Sequence, residues 1–162
     1  MADERFIKGS GDDAKALFEI IKRRIEWMDE NSIDQWNNHD YLNVFPLGYY
    51  LKKADEGALY VYKESGKTVC GAVIGDSDRR WDDGEAALYI HNFASDIGYP
   101  GAGRKLLLFL IETAKSRGCR WVRLDCDESN KRLNEYYDAF GFVTLDGFTE
   151  GPYRGVKKQK AL

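Results

Sequence analysis

The regular pattern that follows the glycine-rich run Gly98-Tyr99-Pro100-Gly101-Ala102-Gly103 restricts the fold of this chain more than any other feature. Leu106, Leu107, Leu110, Ile111 and Ala114 recur on one face at helical spacing, and Gly118 supplies a helix stop. Trp121-Val122-Arg123-Leu124-Asp125-Cys126 then alternates as a strand does. Asn130 can start a second helix with the face Leu133, Tyr136, Tyr137 and Phe140, which Gly141 ends. Phe142-Val143-Thr144-Leu145 resumes strand character, and Tyr153 to Lys158 reads as a last strand at the sheet edge. A strand, a helix and a second strand in that order predict a crossover between parallel neighbours.

The first half is strand-rich. Arg5-Phe6-Ile7-Lys8 reads as a short strand, and Ser10, with Asp12 and Asp13 behind it, suits a helix start. Leu17, Ile20, Ile21, Arg24 and Met28 continue that helix to about residue 29. From Ser32 to Tyr50 the pattern dissolves into a short helix plus loop. Ala58–Tyr62 and Thr68–Ile74 flank the turn tetrad Glu64-Ser65-Gly66-Lys67 and predict a hairpin; Ala86–Phe93 predicts a further strand. The expected architecture is one α/β domain over residues 1–162. Its core is a central mixed, mostly antiparallel twisted sheet of six to seven strands, flanked by about four helices.

Composition removes several function classes. Hydrophobic residues at 43% and charged residues at 31% are an ordinary globular balance, which excludes wholesale disorder. A net charge of -3 gives no basic field for nucleic acid or an anionic membrane. Cys70, Cys119 and Cys126 show no paired spacing, so no metal site is expected and the thiols are expected to be reduced. No apolar stretch has the length of a signal peptide or a membrane span, so a cytoplasmic protein is expected.

A glycine-rich turn that opens a helix is a physical solution for binding phosphate. Glycines let the backbone approach an anion, and the helix start presents free N–H groups at a positive dipole end. Gly98, Gly101 and Gly103 precede the strong helix, with Arg104 and Lys105 in its first turn. A tight turn that merely needs glycine remains the alternative. A Walker A loop requires Gly-Lys-Ser/Thr where Gly103-Arg104-Lys105 stands, and a dinucleotide fold places its turn after the first strand.

Gly101-Ala102-Gly103 followed by Arg104-Lys105-Leu106-Leu107 resembles the end of the Gln/Arg-x-x-Gly-x-Gly/Ala signature of the GCN5-related N-acetyltransferases (GNAT), with Gly98 where that family has Gln or Arg. Arg123-Leu124-Asp125-Cys126, Asn130, Leu133, Tyr136-Tyr137 and Gly141-Phe142 resemble a second pattern, common in bacterial members. The resemblance implies transfer of an acetyl group from acetyl-CoA to a primary amine of a small molecule or peptide, with no metal. It also allows a homodimer. A non-catalytic acyl-CoA-binding module, or a fold that has lost CoA binding, stays open as an alternative.

What the resemblance implies can be stated residue by residue. The pyrophosphate would lie on the turn Gly98, Tyr99, Gly101, Ala102 and Gly103, with Arg104 and Lys105 as helpers. The pantetheine arm would run along Phe93, Ala94 and Ser95, one of whose N–H groups would hold the oxyanion. Asn130, Leu133 and Tyr136 would flank the arm, although Asn130 also reads as a helix N-cap. Tyr137 would be the general acid to the sulfur, although by residue type alone a core aromatic is the commoner reading. Glu85 and His91 are the candidates for general base, with a water chain as a third. Trp27, Trp36, Tyr41 and Trp81 would border the acceptor.

Overall fold

The computed structural model describes residues 4–33 and 40–162. In chain order the elements are β1 (Glu4–Lys8), α1 (Gly11–Glu30), α2 (Tyr41–Val44), α3 (Leu47–Asp55), β2 (Leu59–Glu64), β3 (Lys67–Gly75), β4 (Ala87–Ser95), α4 (Ala102–Ser116), β5 (Trp121–Asp127), α5 (Lys131–Ala139), β6 (Val143–Glu150) and β7 (Tyr153–Ala161). Seven strands form one mixed sheet in the order β1-β2-β3-β4-β5-β7-β6. Only β4 and β5, joined through α4, run parallel. The described helices number five, close to the expected count of about four.

Strand alternation distributes the core to two faces. Tyr60 and Tyr62 of β2 join Leu106, Leu107 and Leu110 of α4 on one face, with Tyr137 of α5 in the same cluster. Leu59 and Val61 face the other way, onto Leu17, Ile20 and Ile21 of α1 and Tyr50 of α3.

The start of α1 is pinned by a capping box between Ser10 and Asp13. Asp13 also accepts from the Thr68 hydroxyl at 2.7 Å and pairs with Lys63 Nζ at 2.9 Å, which ties α1 to β2 and β3. Burial alone would raise the Asp13 pKa, but its bonds from Lys63, Ser10 and Thr68 outweigh that and leave it lowered.

One expectation is corrected. The last strand does not lie at the sheet edge: β7 inserts between β5 and β6, and β6 takes the edge. β7 carries Lys157, Lys158 and Lys160, a polar pattern that reads as an edge strand. Lys158 is nonetheless fully buried, its ammonium donating to Asp138 Oδ1 and Thr144 Oγ1, each at 2.7 Å. The aliphatic stem packs while the head finds acceptors on α5 and β6.

Candidate active site

The site begins where two strands part. The β4–β5 ladder pairs Ala87 with Trp121, Leu88 with Val122 and Tyr89 with Arg123, and then stops. Beyond Tyr89, β4 continues to Ser95 paired only to β3, while β5 continues to Asp127 paired to β7. The two parallel strands thus open a wedge, with the facing backbone edge of β4 left out of any ladder.

A bulge sits inside that edge. Cys70 and Gly71 pair with Ser95 and Ala94, but Val73 pairs with His91, so Asn92 and Phe93 together oppose Ala72. Asn92 takes φ 53°, a left-handed conformation that asparagine tolerates better than most residues. Its side chain is held at both ends: the Tyr49 hydroxyl donates to Oδ1 at 2.8 Å, and Nδ2 donates to the Tyr41 hydroxyl at 2.6 Å. Arg24 of α1 closes the far end of β4, donating to the Ser95 carbonyl at 2.6 Å and to Ser95 Oγ at 2.9 Å.

The glycine turn borders the same wedge. Gly101 adopts φ 87° at the start of α4, a conformation that requires glycine there. The Ala102 N–H is already donated to the Tyr99 carbonyl at 3.1 Å, and Ala102 is buried. Among the described residues no acceptor takes the N–H groups of Gly101, Gly103 or Arg104. Three free donors at a helix start are the arrangement that favours an anion. Gly98 is spent within the turn, donating its N–H to Asp96 Oδ1 at 3.0 Å.

A cavity of about 1290 Å³ fills the wedge and runs from this turn to the β3–β4 loop. It brings together most of the residues singled out in the sequence. Phe93, Ala94, Ser95, Tyr99, Gly101, Gly103, Arg104, Asn130, Leu133, Tyr136, Tyr137, His91, Trp27 and Tyr41 all line it. Asn130 also caps α5, its Oδ1 accepting from the Leu133 N–H at 3.1 Å.

Other candidates fall elsewhere. Glu85 precedes β4 and pairs with Arg120 at 3.3 Å, outside the cavity. Trp81 packs with Ala87, Tyr89 and Trp121 beneath the Arg123 guanidinium, 4.6 Å from its ring. Lys105 turns toward β1 and β2, where it pairs with Glu4 and donates to the Tyr62 hydroxyl. Gly98 and Ala102 do not line the cavity. Trp36 lies outside the described residues.

Several lining residues carried no sequence signal as site residues. Arg80, from the β3–β4 loop, lines the cavity and reaches Asp125 at 3.6 Å and Glu150. Asp125 accepts from the Tyr153 hydroxyl at 2.7 Å. Strand alternation held a clue, since Asp125 shares the face of Arg123 rather than that of the core residues Leu124 and Cys126.

Burial pushes the Tyr137 phenol well above the ordinary tyrosine pKa, so it keeps its proton across the neutral range. His91 moves the other way. Burial lowers its pKa, against the pull of the Asp78 and Asp125 carboxylates, so the neutral ring is favoured at pH 7. The cavity thus holds one retained proton and one free lone pair. One ligand atom each of Asp78, His91 and Asp125 lies within 4.8 Å of the others. Asp125 is already engaged by Arg80 and Tyr153, so this trio reads as a network of proton and ion-pair contacts.

The acetyltransferase (GNAT) family model matches residues 19–142. The chain belongs to that family. The match runs from within α1 to just past the end of α5, so the wedge, the turn and Tyr137 all lie inside the GNAT homology. Solved structures carry the same fold over nearly the whole chain. A GNAT acetyltransferase from Streptococcus agalactiae is 17% identical, covering 98% of this chain and 95% of its own, with a TM-score of 0.81. One from Listeria monocytogenes is 20% identical, covering 98% and 95%, with a TM-score of 0.77. The PaiA N-acetyltransferase from Thermoplasma acidophilum, in complex with coenzyme A, is 14% identical, covering 99% of each chain, with a TM-score of 0.76. Among curated protein sequences no relative matches. No described helix is long and apolar enough to cross a membrane.

Proposed function

We propose that this GNAT chain moves the acetyl group of acetyl-CoA to a primary amine by direct attack. The observation that carries the reading is the end of the β4–β5 ladder at Tyr89 and Arg123, which leaves a strand edge beside a helix start with free N–H groups. The pyrophosphate lies on the amides of Gly101, Gly103 and Arg104, with the Arg104 guanidinium beside them. The pantetheine amides pair with the exposed edge of β4, as an added strand would. An N–H freed near the bulge at Asn92 and Phe93 faces the thioester carbonyl and stabilises its oxyanion. The acceptor enters at the other end, between Trp27, Tyr41, Phe45 and Arg80.

The protons balance. His91 takes one proton from the ammonium form of the acceptor and later releases it to solvent. The neutral amine attacks the carbonyl carbon, and the C–N bond forms as the carbonyl electrons move to oxygen. When they return, the C–S bond breaks and the thiolate takes the Tyr137 proton. The phenolate recovers a proton from the new amide nitrogen. The products are an N-acetyl amine and free CoA.

Incubation with acetyl-CoA and a panel of small and peptide amines tests the reading by release of free thiol. Release that depends on one amine class supports it. A melting temperature raised by acetyl-CoA, with no release for any amine, would instead mark a non-catalytic acyl-CoA-binding module.

Gly103 offers a sharper probe of the cofactor end. A Cβ there would meet Phe93 and Ser95 only at 3.5–3.6 Å, ordinary contact, so the fold itself does not demand glycine. Gly103→Glu should therefore melt near the wild type yet weaken CoA binding by about 30-fold or more, because a carboxylate opposes the pyrophosphate. Calorimetric titration with CoA reads this directly, and unchanged affinity would move the phosphate site elsewhere.

A further inference from the structure

The β3–β4 loop places a buried carboxylate behind His91. The Asp78 side chain is only 7% exposed and does not line the cavity, whereas His91 does. Asp78 is fixed by its own turn: Oδ1 accepts the Arg80 N–H at 2.9 Å, and its carbonyl accepts the Trp81 N–H at 3.0 Å. The second oxygen, Oδ2, faces His91 Nε2 at 3.6 Å and has no other partner among the described residues. We propose that Asp78 is a positioning residue: it holds the proton of His91 on Nε2, leaves the lone pair on Nδ1 for the acceptor amine, and steadies the imidazolium that forms. This rests on the reading of the site as an acetyltransferase centre.

The assignment falls on Asp78 rather than Asp125 because of what each carboxylate already holds. Asp125 accepts from the Tyr153 hydroxyl and lies 3.6 Å from Arg80, so its charge is shared out. The other charges acting on His91 are Arg80 and, from α3, Lys53, and both oppose its protonation. A carboxylate that is buried, tethered through one oxygen and open at the other is the arrangement that orients an imidazole for proton transfer.

Asp78→Asn is the natural test, since an amide oxygen can still accept the Arg80 N–H while the charge disappears. The chain has two histidines, so a proton NMR titration reads His91 without reference to activity. The His91 midpoint should fall by about one pH unit in Asp78→Asn. The acid limb of kcat/KM should move down with it, while kcat falls at least about tenfold. KM for acetyl-CoA should stay put. Asp78→Ser, which keeps a side-chain acceptor for the turn, should give the same shift if Asp78→Asn folds poorly. In a His91→Gln background, Asp78→Asn should cost nothing further.

An unmoved His91 midpoint, or an equal loss in both backgrounds, overturns the proposal. So does activity that vanishes on chelation and returns with a divalent cation, which would give the trio to a metal. Failure of the underlying reading looks different. A wild-type protein that releases no CoA with any amine, while the NMR shift persists, removes the catalytic role and leaves only the contact.

Discussion

Tyr137→Phe is expected to lower kcat about 100-fold, which corresponds to about 2.7 kcal/mol of transition-state stabilisation, while leaving acetyl-CoA binding nearly unchanged. The ring packs edge-on against Tyr136 and Phe142, with centroids 5.5 and 5.7 Å apart, and phenylalanine preserves that packing. Only the hydroxyl is lost, and with it the proton for the departing thiolate. Because burial raises its pKa, Tyr137 stays protonated throughout the neutral range. The alkaline limb of the rate should therefore lie above pH 10, the ordinary phenol value, and loss of activity should come only as pH rises past the raised pKa. Stopped-flow measurement of thiol release gives kcat. An unchanged kcat would reduce Tyr137 to a core aromatic.

Asp13→Ala should destabilise the fold by about 3 kcal/mol, a large effect for a polar side chain. The carboxylate is 4% exposed and completes the capping box of α1 while accepting from Thr68 and pairing with Lys63. Its removal leaves the Ser10 N–H, the Thr68 hydroxyl and the Lys63 ammonium without that partner. Asp13→Asn retains an acceptor and should cost less. The pH dependence follows from the lowered pKa: the contribution is complete above the unfolded-state value of 3.8 and is lost as pH falls through the lower folded value. Urea melts of wild type and variant should therefore differ most above pH 3.8 and draw together progressively as pH falls below it. The effect reaches the site through α1, because the same helix carries Arg24, Trp27 and Met28 into the cavity.

Helices α1, α4 and α5 were legible because their periodicity is uninterrupted, whereas α2 and α3 lie where the pattern dissolves. The face of Leu106, Leu107, Leu110, Ile111 and Ala114 is the one that packs on the sheet, and Arg24, in step with Leu17 and Ile21, does turn inward. The place of β7 was not legible, because lysine stems bury without looking apolar and Lys158 finds its acceptors on elements far from it in sequence. The turn end of the cavity was legible in part, because the free donors Gly101, Gly103 and Arg104 lie within four residues of one turn, whereas Gly98, Ala102 and Lys105 fall outside the cavity. At the other end His91, Trp27 and Tyr41 were legible by type and place, but Asp78, Asp125 and Tyr153 were not, because they come from separate segments that only the fold brings near His91. Glu85 and Trp81 were near in sequence to β4 but belong to its other end, where Arg120 and Arg123 hold them.

In the proposed complex one wedge binds acetyl-CoA by main-chain groups and presents its thioester to Tyr137. A crystal structure of the chain with acetyl-CoA tests it most directly. Pyrophosphate oxygens are expected about 3 Å from the amide nitrogens of Gly101, Gly103 and Arg104, with pantetheine paired to the β4 edge and the sulfur within hydrogen-bond reach of the Tyr137 hydroxyl. A cofactor bound outside the wedge, or a thioester directed away from Tyr137 and His91, would contradict it.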